Sequence, residues 1–195
     1  MKVEGQNVQV FFILGRLLGD NQALSSITDF AECFNANFYC RMCKRKKSDC
    51  QKDCEEMQGE LRSPDNYSVD ALLPLKESGI NCPSIWNEVD HFHVTENTAV
   101  DSLHDVWEGV CEYDMGHILY CFIVKEKLFT VNDLNDRLLA FDYYGNGLSN
   151  KPPTLILDKI KDRHFSISGN EMRSLVLTFT FLVGHLVPDH KVWQF

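Results

Sequence analysis

The apolar positions of this chain group into a few helical stripes and one short run suited to a strand. The longest pattern lies between His91 and Leu119 and continues to Phe122. Apolar residues recur there at Val100, Leu103, Val106 or Trp107, Val110, Met115, Ile118 and Phe122. That spacing fits one buried face of a helix better than the alternation of a strand. Thr95 or Thr98 is the expected cap, because a hydroxyl there accepts a hydrogen bond from an unpaired first-turn amide. Val8 to Leu18, VQVFFILGRLL, is β-branched and aromatic at its start and reads as a buried strand closed by Gly19. Asp20 then caps a helix over Ala23, Leu24, Ile27, Phe30 and Ala31.

Farther along, Asp49 to Gln58 is polar and reads as a short helix, and Ser63-Pro64-Asp65-Asn66 is a turn signal. Val69 to Lys76 reads as another short helix whose last turn Pro74 disrupts. Trp86, Phe92 and the start of the long helix are expected to share a core. Thr130 caps an amphipathic helix with Leu134, Leu138 and Leu139 on its buried face. Thr154 to Ile160 fits either strand or helix. Ser168-Gly-Asn-Glu171 is a capping box opening an apolar helix through Met172, Leu175, Val176, Phe179, Leu182 and Val183, stopped after Gly184 by Pro188. The fold class expected is α+β and predominantly helical.

With 195 residues, 44% hydrophobic and 24% charged, the chain has the composition of an ordinary globular domain. A net charge of −9 argues against a protein that coats nucleic acid over its whole surface. One basic run, Lys44-Arg45-Lys46-Lys47, stands against that background and suits either phosphate contact or a solvated turn. Neither a secretory leader nor an apolar run long enough for a bilayer is apparent. The expected setting is therefore nuclear or cytoplasmic, with no membrane partner, and the eight cysteines are expected reduced, buried or metal-bound.

Three sets of residues carry candidate chemistry. Cys40 and Cys43 form a Cys-x-x-Cys pair, which lets two thiolates reach one Zn²⁺ from a tight turn. Cys50 and Cys54 are one local way to close such a site, and distant histidines are another. Asp101, His104 and Glu108 are spaced three and then four apart, on one helix face. Such a face either binds a metal or shuttles a proton, or is simply a polar surface with one histidine. Asp20 sits where the expected strand hands over to a helix, a common position both for a catalytic carboxylate and for a plain cap.

The order of several blocks resembles a known family. GDN at Gly19 to Asn21, FYCRMCK at Phe38 to Lys44, FHVTENTAVDSLHDVWEGVCEYDM at Phe92 to Met115, NKPP at Asn150 to Pro153 and SGNEM…GHLVP at Ser168 to Pro188 resemble transposase-derived proteins of invertebrate DNA transposons. These are similar to CACTA-type transposases and, more distantly, to the V(D)J recombinase core. The resemblance implies an RNase H-like fold in which Asp, Asp and Glu hold two Mg²⁺ ions for DNA strand cleavage and transfer. It makes Asp20 the second catalytic acid and Asp101 and His104 an Asp-x-x-His pair near the active site. Cys40 and Cys43 become the thiolate half of a zinc site that downstream histidines complete.

On this reading residues 1–35 end a partial RNase H-like core, strand plus following helix. Residues 36–62 form a zinc-knuckle-like segment, and 63–195 a helical insertion that looks cut at its C-terminal end. The first acid would lie upstream of Val8, and the last Glu and the zinc-completing histidines beyond Phe195. His185 and His190, five apart, offer an internal alternative, while Glu171 is read as a capping residue. One carboxylate of three leaves the Mg²⁺ site incomplete. The expectation is a catalytically inactive transposase fragment. The alternatives are a domesticated DNA- or protein-binding module contacting DNA through Lys44 to Lys47, with room for self-association, or a small zinc protein closed by Cys40, Cys43, Cys50 and Cys54.

Overall fold

The computed structural model describes the chain except residues 1, 4, 5, 8, 10, 54, 58, 146, 147, 149, 188–190 and 192–195, and the side chains of residues 2, 3, 6 and 7. It divides into two units, Met1–Val100 and Asp101–Phe195. The elements are almost all helical. Among the described residues the only strands are β1 (Lys2–Val3) and β2 (Gln6–Asn7), an antiparallel pair with two residues in each.

The expected core strand over Val8 to Leu18 is therefore overturned, and with it the partial RNase H-like core. Residues 11–16 are irregular, and Phe11, Phe12 and Ile13 are exposed. A strand is stable only when its amides and carbonyls find a ladder. The pairing seen here is one isolated parallel bridge, in which Leu17 N–H donates to Asn97 O (2.8 Å) and Leu17 O accepts from Ala99 N–H (3.1 Å). The β propensity of the run is real, but no described element extends it into a sheet.

The first unit holds α1 (Asn21–Ile27), α2 (Lys47–Cys50), α3 (Pro64–Asp70), α4 (Leu75–Ser78) and a 3₁₀ turn at Ile85–Glu88. Asp20 caps α1 as expected, its Oδ1 accepting from Ala23 N–H at 2.7 Å. The expected helix over Asp49 to Gln58 shrinks to the single turn of α2. The turn signal at Ser63-Pro64 proves to be a helix start. Ser63 and Asn66 form a reciprocal capping box, with Pro64 in the first turn, where a missing N–H costs nothing. Pro74 likewise starts α4 rather than disrupting a helix.

Phe30, Tyr67, Ile80, Phe92 and Val94 form the core of the first unit, with Leu14, Leu17, Ala71 and Trp86 packed against it. Trp86 and Phe92 do meet, their ring centroids 6.1 Å apart. Gly79 follows α4 in the left-handed region at φ +74°, and a Cβ there would collide with the carbonyl of Phe38. Only glycine satisfies both conditions.

The second unit begins with one continuous helix in three segments. A π-helical stretch, Leu103–Val110, runs into α5 (Cys111–Leu119), which runs into a second π-helical stretch, Tyr120–Lys125. The helix starts after Thr95 and Thr98, so neither caps it; Thr98 Oγ1 instead donates to Val94 O (3.2 Å). The expected apolar stripe holds only in its second half. Met115 and Phe122 are buried and Ile118 packs against the core, but Leu103, Val106 and Val110 are exposed. A turn widened to i→i+5 advances each residue by a smaller angle than an α-turn, so positions spaced for an α-helix drift off a common face.

Among the described residues three further helices follow in this unit: α6 (Val131–Ala140), α7 (Leu157–Asp162) and α8 (Gly169–Val183), the last followed by a 3₁₀ turn at Gly184–Leu186. The capping boxes at Thr130/Asp133 and Ser168/Glu171 are both present. Leu134 and Leu138 are buried, whereas Leu139 is exposed. Phe122, Leu119, Leu175, Phe179, Ile160 and Val183 form the centre of the core. Gly116 lets α5 approach Arg163 at the end of α7, where a Cβ would lie 2.6 Å from the Arg163 carbonyl oxygen. Because Thr130 satisfies an orphan first-turn donor, Thr130→Ala is expected to cost the second unit about 1 kcal/mol, read as a lowered thermal midpoint with unchanged helical content below it.

Candidate metal centre and a carboxylate–imidazole array

The cysteine pair lies on a turn that the rest of the first unit holds in place. Backbone N–H groups of Met42 and Cys43 both donate to the Cys40 sulfur, each at 3.3 Å. Such donors stabilise a thiolate, and they follow from the backbone of a Cys-x-x-Cys turn rather than from any particular side chain. Cys43 then pairs antiparallel with Leu61, flanked by Lys44 N–H to Glu60 O (2.8 Å) and Arg62 N–H to Met42 O (2.9 Å). These contacts order the turn.

Arg62 anchors it from behind. Its side chain is 1% exposed. Nε donates to Cys40 O at 3.1 Å and Nη2 to Ser78 O at 2.6 Å, and the guanidinium carbon sits 5.3 Å from the Phe30 ring centroid. Asp70 lies 3.6 Å from Nη1. Burial pushes the guanidinium's pKa down, and Asp70 opposes that shift. On the other side Arg41 Nη2 donates to Asn21 Oδ1 (2.7 Å), tying the turn to α1.

The two thiols share a proton unequally. A hydrogen bond from the Cys40 thiol draws the pKa of Cys43 down to about 7. The same bond, with burial, pushes that of Cys40 up. Cys50, the last residue of α2, brings its sulfur to 3.9 Å from that of Cys43. Cys54 lies outside the described residues. As the side chains stand, no three His, Cys, Asp or Glu groups among the described residues surround one metal-sized point.

The basic run folds back on itself. Arg45 is largely buried and pairs with Asp53 and with Glu60, the latter at 2.9 Å. Lys47 Nζ donates to Asn35 Oδ1 (2.7 Å). Lys44 is half-buried and Lys46 is exposed, so Lys46 presents its charge most openly.

In the second unit Asp101 and His104 are brought together. Asp101 is buried, its Oδ1 accepting from the His104 backbone N–H (3.2 Å) and its Oδ2 lying 2.6 Å from His104 Nδ1. Asp101 therefore does the capping expected of the upstream threonines. Glu108 completes the array, with Oε2 3.7 Å from His104 Nε2. Its other oxygen, Oε1, accepts from Gly169 N–H (3.0 Å) at the start of α8. One turn on, Glu112 Oε1 accepts from Phe165 N–H (3.3 Å) and sits 3.0 Å from His164 Nδ1. These carboxylates fasten the loop before α8 to the long helix.

A carboxylate on Nδ1 leaves Nε2 as the working nitrogen of His104, a suitable arrangement for holding a proton or a cation. Glu108 has a structural duty as well. Glu108→Ala is expected to destabilise the second unit by about 1 kcal/mol through the lost bond to Gly169. Amide exchange should then quicken first at residues 169–172; unchanged exchange there would refute the capping role.

Asp20, the remaining candidate acid, is exposed and engaged as the cap of α1. Among the described residues no strand leads into it, so the strand-end placement expected for a catalytic carboxylate is not realised. Asp20, Cys40 and Cys43 belong to the first unit, and Asp101 and His104 to the second. Neither Arg62 nor the bond from Glu108 to α8 is signalled by local sequence. The two carbonyls that Arg62 holds lie 16 and 22 residues away in the chain.

Comparison with known proteins finds no family model that matches this chain, no curated protein similar to it and no solved structure that matches it.

Proposed function

We propose that this chain is a non-catalytic, zinc-stabilised binding module, descended from a DNA transposase, in which Cys40 and Cys43 hold the metal. The observation that carries the zinc reading is the convergence of two backbone amides on the Cys40 sulfur, in a turn already pinned by Leu61 and Arg62. Sulfur donors placed in this way suit Zn²⁺, which takes thiolates in a tetrahedral set and has no redox chemistry of its own. The ancestry rests on the order of the sequence blocks and not on the fold. The transposase reading gains nothing from Asp20, whose carboxylate is spent on an N-cap.

The test is elemental analysis of the purified full chain after dialysis. About one zinc per chain is expected, lost in both Cys40→Ser and Cys43→Ser. A metal-free wild-type chain that is fully folded would overturn the reading. Incubation with supercoiled DNA and Mg²⁺ or Mn²⁺ is expected to leave the DNA intact; nicking abolished by Asp20→Ala would restore a catalytic role.

The exposed ammonium of Lys46, beside half-buried Lys44, favours DNA as the partner through phosphate contacts. Binding should be weak and strongly salt-dependent, and Lys44→Glu/Lys46→Glu should abolish it. Among the described residues no helix is long and apolar enough to cross a membrane.

A further inference from the structure

We infer that Cys50 is the third thiolate of the metal site begun by Cys40 and Cys43, so that zinc is held within an eleven-residue stretch, 40–50, of the first unit. The inference rests on the zinc reading above and adds to it a third protein ligand. Two sulfurs bound to one tetrahedral zinc at about 2.3 Å must lie about 3.8 Å apart. The sulfurs of Cys43 and Cys50 stand 3.9 Å apart.

Lys47 N–H donates to Asn37 O (2.7 Å), which ties the start of α2 to the segment before the cysteine pair, and the helix's own bond from Cys50 N–H to Lys46 O (3.0 Å) carries Cys50 one turn on. The return path from Cys43 to α2 runs through Arg45, whose guanidinium is clamped by Asp53 and Glu60. Cys40 is in turn hydrogen-bonded to Cys43, so the three sulfurs are neighbours in sequence along one short segment.

The surroundings also suit a thiolate-rich centre. Three thiolates and one Zn²⁺ carry a net negative charge. Arg62 lies behind Cys40, its Nε on the Cys40 carbonyl, and a buried cation there lowers the cost of gathering sulfur anions. Arg45, in the segment that joins Cys43 to Cys50, has its charge offset by Asp53 and Glu60. A soft divalent cation fits the sulfur set, whereas Mg²⁺, which wants oxygen donors, does not.

The test uses the full chain with zinc and with cobalt(II) as a spectroscopic substitute. The wild type should show tetrahedral cobalt bands and strong sulfur-to-cobalt charge-transfer absorption. Cys50→Ser should lose about a third of that absorption and bind zinc at least tenfold more weakly, since even outer-shell changes cost about tenfold or more. Cys121→Ser, in the second unit, should change neither. Cys50→His keeps a donor at the position, and should retain tetrahedral cobalt with reduced charge-transfer absorption, which separates loss of a ligand from loss of the fold. Wild-type affinity and absorption in Cys50→Ser would overturn the role of Cys50 while leaving the Cys40–Cys43 reading intact. A wild type that takes up neither metal would overturn both.

Discussion

Phe122→Ala is expected to destabilise the second unit by about 3–5 kcal/mol. The side chain is completely buried. Its ring packs edge-on against Phe129 with centroids 6.1 Å apart and parallel to Phe179 at 6.4 Å, so it joins the long helix to α8 and to the loop before α6. Its backbone carbonyl also accepts from Leu128 N–H (2.8 Å) where the π-helical segment ends. Truncation leaves a cavity that rigid neighbours on two helices cannot readily close. A domain of this size has about 5–15 kcal/mol of stability in all, so the loss is a large share of it. Hydrogen exchange followed by mass spectrometry should show faster exchange throughout peptides from α6, α7 and α8. Peptides from α1 and α3 should be far less affected, because they belong to a separate unit with its own core. Uniform acceleration across both units would show that the two unfold together.

The contrast between the two units explains what the sequence disclosed. In the second unit local and tertiary preferences agree. Thr130/Asp133 and Ser168/Glu171 announce their helices because a hydroxyl and a carboxylate three residues apart satisfy first-turn amides wherever they occur. Met172, Leu175, Phe179 and Leu182 then keep helical spacing to the end of α8. In the first unit the agreement fails. Phe11, Phe12 and Ile13 have strand propensity without a ladder, and propensity alone does not make a sheet. Ser63 opens a helix with Asn66 in the capping position, a weaker local signal than Glu or Gln, and Pro64 masked it as a turn.

The candidate sites divide along the same line. The Cys40–Cys43 turn and the Asp101–His104 pair are short-range and follow from spacing. The clamp on Arg45, the 3.9 Å approach of Cys50 and the support from Arg62 depend on where distant backbone passes, which periodicity does not encode. The π-helical start of the long helix is a third case. Its composition is helical, and only the packed structure reveals that the turn is widened and that Val106 and Val110 face outward.

Arg62→Ala should be the most damaging substitution in the first unit, costing about 3–5 kcal/mol. The guanidinium satisfies two carbonyls at once, Cys40 O and Ser78 O, while lying against Phe30 and beside Asp70. Removing it leaves a partly buried carboxylate without its cation, two carbonyls without donors and a void beside an aromatic ring. Arg62→Lys should recover little, since a single ammonium cannot reproduce the two-pronged geometry. Arg62→Met fills the volume without donors and separates packing from hydrogen bonding. If hydrogen bonding dominates, Met resembles Ala in urea unfolding followed by exchange of peptides spanning 61–80. On the zinc reading proposed above, affinity for the metal should fall with stability in all three variants, because the carbonyl that Arg62 holds belongs to Cys40 itself. A Met variant as stable as the wild type, yet weakened in zinc binding, would show that Arg62 orients the thiolate turn and contributes little to the fold. Equal stability with equal zinc affinity would mean that the bridge to Leu61 and the bond from Arg41 to Asn21 hold the turn without Arg62.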